Sequence, residues 1–147
     1  MGKLEKYLWV VAIAMVVIIL VTTWIALERG GYEMNPIMWR LFKALHEFTG
    51  SWAVAVLPFI PVVCLGLYVM VRAIRWDLKG RGYPYGGRVV LVSFILLILP
   101  NTIYNLGVKM SYGLMVVSGF ALIISYWIFE WFRWRKERKR RAKKMRK

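Results

Sequence analysis

The sequence predicts an all-α integral membrane protein: a four-helix transmembrane bundle, an outer amphipathic helix in one connection, and a basic cytoplasmic tail. Three observations lead there. Of the 147 residues, 60% are hydrophobic, whereas soluble domains hold about 45–50% apolar residues even with glycine counted. The apolar residues fall into four runs close to the ~20 residues that a helix needs to cross a ~30 Å hydrocarbon core. The charge is lopsided, 22 Lys plus Arg against 7 Asp plus Glu, and its placement alternates from one connection to the next. The same composition excludes other classes. The hydrophobicity rules out a disordered chain, and the lone Cys64 rules out both a disulfide scaffold and a cysteine-built zinc site.

The first span, Tyr7–Leu27, contains no charge. It is longer than the 7–15-residue apolar core of a signal peptide and no small-x-small site follows, so an uncleaved helix is expected. Lys6 stands where a myristoylation signal requires Ser or Thr. Gly30-Gly31 ends this helix. Asn35-Pro36 then reads as an N-cap with proline at the first helical position. Over residues 36–48, Met38, Leu41, Phe42, Leu45 and Phe48 share one helical face, opposite Arg40, Lys43 and Glu47. Such a helix lies flat at the interface or over the outer mouth of the bundle, packed on lipid and neighbours or acting as a lid. The second span, Trp52–Val71, is interrupted by Pro58 and Pro61. The third, Val89–Val108, carries Pro100, Asn101 and Asn105 in its last third, and Pro100 leaves the Leu96 carbonyl without its helical donor. The fourth is Met110–Phe129. Residues 1–132 thus form the transmembrane domain and 133–147 the tail.

Orientation follows from the placement of the cations. With the N-terminus in the cytoplasm, only Arg29, Arg40, Lys43 and Lys109 of the 22 basic residues fall outside, as the positive-inside rule requires. Both termini are then cytoplasmic, in a multi-pass protein of the cell membrane. The eight tryptophans stand near span ends or in connections, the headgroup level that amphipathic indoles favour.

Polar residues gather on the expected outer side. Glu33, Asn35 and His46 belong to the first connection, and Asn101 and Asn105 to the end of the third span. Polar groups at membrane depth need a partner or a watery cavity. Asn101 and Asn105 either hydrogen-bond across helices or, with Glu33, line a shallow outward-facing site. His46, Glu33 and Glu47 are metal-ligand types, but their spacing follows no metal-binding pattern, and neither a metal nor another cofactor is expected. On the inner side, Lys79–Arg88 is rich in glycine but lacks the spacing of a phosphate-binding loop, so a flexible hairpin touching lipid phosphates is expected. On the fourth span, Ser111, Ser118, Ala121 and Ser125 are read as a small-residue face that packs into the bundle or against another protomer. Glu130, beside Arg133, reads as a neutralised interfacial acid.

The stretch Thr22–Pro36 resembles a family of small bacterial and archaeal membrane proteins of unknown function. In that family a Thr on the first helix is followed by Gly and then by Glu-x-Asn-Pro. Thr22 or Thr23, Gly30, Glu33, Asn35 and Pro36 match, and Tyr104-Asn105 matches a later element. No Asp precedes the threonines here, and the second span has no Lys, two departures from the family pattern. The resemblance implies a polytopic membrane fold and no reaction.

The tail offers Arg133, Arg135, Lys136, Arg138, Lys139, Arg140, Arg141, Lys143, Lys144, Arg146 and Lys147 against one acid, Glu137. Anionic lipid headgroups attract such juxtamembrane cations. Ribosomal RNA is the alternative partner, through phosphate neutralisation, and no motif for reading a base sequence accompanies the charge. With no charge deep in any span and no nucleophile–base pair, the expected function is a non-enzymatic accessory or scaffold subunit, alone, as a homo-oligomer or in a larger membrane complex. A small oligomeric channel, transporter or holin-like pore with the outer polar site is the second reading. Glutamine is absent and asparagine occurs only at 35, 101 and 105, a depletion that points to a thermophilic source.

Overall fold

The computed structural model describes residues 2–31, 33, 35–80, 83, 85–105, 109 and 111–144, the last five of these by backbone alone. Tyr32, Met34, Leu106, Gly107, Val108, Arg146 and Lys147, invoked above, lie outside the described residues, as do the side chains of Arg140, Arg141, Lys143 and Lys144. Among the described residues six helices form: α1 (Lys3–Glu28), α2 (Pro36–Thr49), α3 (Trp52–Val56), α4 (Phe59–Gly80), α5 (Gly86–Asn105) and α6 (Tyr112–Lys144). With α3 and α4 taken as one broken span, four segments are long and apolar enough to cross a membrane, the mark of a multi-pass membrane protein.

The helix ends follow local rules. α1 stops in a paired-glycine cap: Gly30 takes φ +79°, its N–H donates to the Leu27 carbonyl, and the Gly31 N–H donates to the Ala26 carbonyl at 2.9 Å. Glycine relieves the left-handed strain at position 30. At position 31 any Cβ would lie 2.8 Å from that same Ala26 oxygen. α2 begins where the Asn35 side chain accepts from the Ile37 and Met38 N–H groups at 3.0 and 3.3 Å. The second span breaks at Leu57-Pro58, while Pro61 is tolerated in the first turn of α4, whose N–H groups have no intrahelical acceptor.

The helices alternate in direction, so the start of α1, the end of α4, the start of α5 and the end of α6 share one end of the molecule. That end carries most of the cations and is called here the basic end; the opposite one is the α2 end. α5 is central and touches α1, α4 and α6, while α1 also packs on α3 and α4. α6 packs on α5 alone among the contacts of any size. The bundle is therefore a three-helix core of α1, α4 and α5 with α6 on its flank. Two clusters fill the core. Ala12, Leu67, Val71, Val90 and Leu91 occupy the basic half. Val16, Leu20, Leu27, Ala55 and Val56 occupy the α2 half, where Phe42 enters from α2.

Phe42 is 1% exposed and meets Phe59 edge-on at 5.3 Å. α2 is thus anchored in the core through Met38, Phe42 and Leu45, while Leu41 and Phe48 of the same predicted face point outward. Two inner-side expectations are corrected. Gly86 and Gly87 do not form a flexible hairpin; they are the buried first turn of α5, against α4. A Cβ at Gly86 would lie 3.2 Å from the Ile74 carbonyl. The small-residue stripe of α6 does not pack into this chain's own bundle, and only the alternative of contact with another protomer stays open. Ser111, Ala121 and Ser125 are exposed in this chain and Ser118 is half-buried. The helix packs instead through Met115, Gly119 and Ile123, and a Cβ at Gly119 would meet the Leu97 carbonyl at 2.9 Å. At about 100° per residue the serine line lies roughly a quarter turn around the helix from the line of Met115, Gly119 and Ile123. The basic run continues the fourth span: α6 is a single helix of 33 residues that reaches Lys144.

Candidate functional site

Polar side chains collect at both ends, and the two collections differ in kind. At the α2 end, the loop after α1 folds Glu33 back onto the helix it has left. One Glu33 carboxylate oxygen accepts from the Thr23 hydroxyl at 3.3 Å and the other from the Asn35 N–H at 2.9 Å. Thr23 is buried, so the carboxylate closes a polar group that would otherwise be unpartnered at that depth. The neighbouring Thr22 hydroxyl donates to the Ile18 carbonyl at 2.6 Å and accepts from Asn105 Nδ2 at 2.9 Å. Asn105 thereby ties α5 to α1 across the bundle. Of the residues singled out in the sequence, Thr23, Glu33 and Asn35 form one hydrogen-bonded trio and Thr22 with Asn105 an adjacent pair.

Beside them lies a cavity of about 360 Å³ between α5 and α6. Glu33, Asn35 and Asn101 supply its polar wall, with Tyr112, and Leu97, Met115 and Phe120 are among its apolar residues. Asn101 makes no hydrogen bond to any described residue. The two asparagines of α5 therefore part company: Asn105 is committed across helices, and Asn101 faces open space. His46 does not join them. Its ring stacks on Trp52 at 3.9 Å and 2° between planes, Trp52 stacks in turn on Trp39 at 6.0 Å, and His46 Nδ1 is buried without a partner. Glu47 lies on the exposed face of α2, 3.9 Å from Lys43. Among the described residues no three His, Cys, Asp or Glu side chains come together to hold a metal.

At the basic end the polar groups saturate one another. Glu130, 6% exposed, is 3.2 Å from Arg88 on α5 and 3.2 Å from Arg133 one turn on. It also accepts from the Tyr83 and Tyr126 hydroxyls at 3.3 and 3.2 Å. Glu130 is thus neutralised by two guanidiniums. Burial pushes the Tyr83 hydroxyl up to about 12, and the adjacent carboxylate adds to the shift. Tyr85 extends the cluster, donating to Glu137 at 3.4 Å while the Arg88 guanidinium lies 4.6 Å over its ring. A second ion pair, Arg75 with Glu5, joins α4 to α1, over Gly87, where a Cβ would strike both side chains. Arg88 and Arg75 are therefore internal ties, and not lipid-facing cations of a loose loop.

Next to this cluster is a cleft of about 280 Å³ that sequence reasoning did not foresee. Leu78, Tyr83 and Val89 form one wall, and Trp127, Trp131 and Trp134 of α6 the other, with Glu130 at its edge. Trp127 Nε1 donates to Ser93 at 2.7 Å. Two tail arginines rest on these indoles, Arg135 at 5.2 Å over Trp131 and Arg138 at 5.4 Å over Trp134. The recurrence of Trp and Arg at i and i+4 from Trp131 to Arg138 is the signal that could have pointed to it. Compared with family models, with curated proteins and with solved structures, the chain finds no match.

Proposed function

We propose that the protein is a non-catalytic accessory or scaffold subunit of the cell membrane, both termini cytoplasmic, whose basic end holds anionic lipid headgroups. The observation that carries the reading is the continuity of α6. Its 33 residues span about 50 Å at 1.5 Å per residue, roughly 20 Å more than the hydrocarbon core requires. The basic run is thus presented on a rigid extension of the bundle. Each cation near an anionic surface contributes about 1 kcal/mol, and the effect fades over a Debye length of about 8 Å. Arg133 to Lys139 fall within that reach. The carboxylates of the bundle support a structural role as well: Glu5, Glu33 and Glu130 are each engaged by neighbouring side chains or backbone.

The test uses the full chain carrying Ala142→Cys in a Cys64→Ser background, labelled with a fluorophore and placed in nanodiscs with a headgroup-level quencher. Quenching is expected to be stronger with phosphatidylglycerol than in neutral phosphatidylcholine discs, and to be reversed by salt. Equal quenching in both refutes the lipid reading. A label that answers to added ribosomes and not to anionic lipid puts the ribosome in its place.

The cavity at Glu33, Asn35 and Asn101 favours a second reading, a small oligomeric channel, transporter or pore. It predicts that Asn101→Leu leaves thermal stability unchanged and abolishes a solute flux in proteoliposomes. A loss of stability with no flux to lose supports the scaffold.

A further inference from the structure

The cleft beside Glu130 has a composition that selects its occupant. Its one carboxylate, Glu130, already receives two guanidiniums and two hydroxyls. The Trp127 indole N–H is spent on Ser93. The rest of the lining is aliphatic or aromatic, so the walls suit an apolar chain. Ligand pockets for whole small molecules run from about 300 to 1,000 Å³, and this cleft, at about 280 Å³, is sized for a segment of something longer. It also lies where α6 passes from its apolar to its basic stretch, the level at which tryptophan belts meet headgroups.

The charge beside it supplies the other half of the argument. Arg135 and Arg138 are exposed and make no ion pair with any described residue, unlike Arg88 and Arg133. Each lies over an indole that lines the cleft. Stacking fixes the guanidinium plane while leaving its N–H edge free, the geometry that takes a phosphate oxygen bidentately. Apolar walls thus sit directly below two preoriented cations.

We propose that this cleft seats one anionic phospholipid of the adjoining leaflet, with a segment of acyl chain among Trp127, Trp131 and Trp134 and the phosphate held by Arg135 and Arg138. The proposal rests on the reading of the basic end as facing anionic lipid, but it concerns a discrete site instead of a diffuse surface charge.

Native mass spectrometry of the full chain, released from nanodiscs holding equal phosphatidylglycerol and phosphatidylcholine, tests it. The wild type should retain one lipid, with phosphatidylglycerol favoured about tenfold: both lipids offer the same phosphate, but the choline cation of phosphatidylcholine is repelled by the two guanidiniums. Arg135→Gln with Arg138→Gln, both at exposed positions, should bring the preference close to one. Trp131→Ala with Trp134→Ala should lose the retained lipid altogether, and Trp131→Phe with Trp134→Phe should keep it. Retention of phosphatidylcholine over phosphatidylglycerol, or a preference unchanged in the double Gln variant, overturns the proposal. Changing Lys136 and Lys139 to Ser, two cations within reach of the surface that lie outside the cleft, separates this site from the general reading. That variant should weaken the composition dependence of tail quenching yet keep its bound phosphatidylglycerol, and loss of both refutes a separate site.

Discussion

Replacing Glu130 with leucine removes the one acid that two arginines share in the buried part of the basic end. Arg88 has 19% of its side chain exposed and its Nε is already buried without a partner, while the Tyr85 ring covers its guanidinium. It therefore has little freedom to turn toward water. Removing one partner of a buried pair costs about 3–5 kcal/mol, because the other charge is left uncompensated. Arg133 is different: 34% of its side chain is exposed and Glu137 stands 3.6 Å away as a second partner. The cost of Glu130→Leu should thus come mainly from Arg88. Glu130→Gln keeps the volume and an acceptor oxygen for the tyrosines but loses the charge, and should cost about 1–3 kcal/mol.

A double-mutant cycle in mild detergent, read by thermal unfolding, isolates this. Arg88→Met added to Glu130→Leu should restore most of the lost stability, since an apolar pair of similar volume often equals or exceeds a buried ion pair. Arg133→Met added to Glu130→Leu should restore little. If Glu130→Leu lies within about 0.5 kcal/mol of wild type, the size of an ordinary surface substitution, the clamp has no energetic role. If the Arg88 and Glu130 changes are simply additive, the pairing argument fails.

Gly119→Ala places a Cβ 2.9 Å from the Leu97 carbonyl, and should cost about 1–3 kcal/mol as an overpacked contact; Gly113→Ala, with open space around it, is the control, and equal melting of the two variants refutes the close approach. Asn105→Leu breaks the tie to Thr22 and should cost about 0.6–1.7 kcal/mol, the range measured for interhelical hydrogen bonds in membranes, as seen in thermal unfolding. Because the Tyr83 hydroxyl is raised to about 12 in the folded chain from about 10 unfolded, its contribution is whole below pH 10 and disappears as pH climbs toward 12. Two units correspond to at most ~2.7 kcal/mol, and solvent screening of this partly exposed group reduces that to about 1 kcal/mol. Between pH 9 and 12, Tyr83→Phe should therefore lose less stability than the wild type.

What the sequence makes legible here depends on where the physical signal is stored. The spans are visible because a membrane helix needs a long uninterrupted apolar run. α2 is visible because Asn35-Pro36 and an amphipathic period act within a few residues. The faces of α1, α5 and α6 are not visible in the same way. Lipid is as apolar as a helix interior, so burial leaves no polar–apolar asymmetry to read. That is why a serine repeat looked like the packing face of α6 when Gly119 makes the closest approach. Long-range pairing is equally silent. Nothing near Glu130 in sequence announces Arg88 or Tyr83, and the neighbouring Arg133 gave only half of the clamp. His46 drew notice as the lone histidine, but its place against Trp52 depends on how the α2–α3 turn folds.

The two ends also differ in how they treat polar capacity, and that difference bears on where a ligand has reason to bind. At the basic end the buried Glu130 is matched by two arginines, so removing it leaves Arg88 without compensation. A fully satisfied network of this sort makes a structure rigid and specific. The polar contacts between α5 and α6, Arg88 with Glu130 and Trp127 with Ser93, all lie in that half. Among the described residues the α2 half of the same helix pair is held by apolar contact, and the cavity sits there, lined by Asn101 and by a Glu33 carboxylate whose oxygens each hold one described donor. A carboxylate accepts more than two hydrogen bonds and a side-chain amide can make several. Polar capacity left open beside a bilayer has a cost unless water or a solute meets it. The α5–α6 contact is therefore tied most firmly at the basic end, and its polar capacity is least filled at the α2 end.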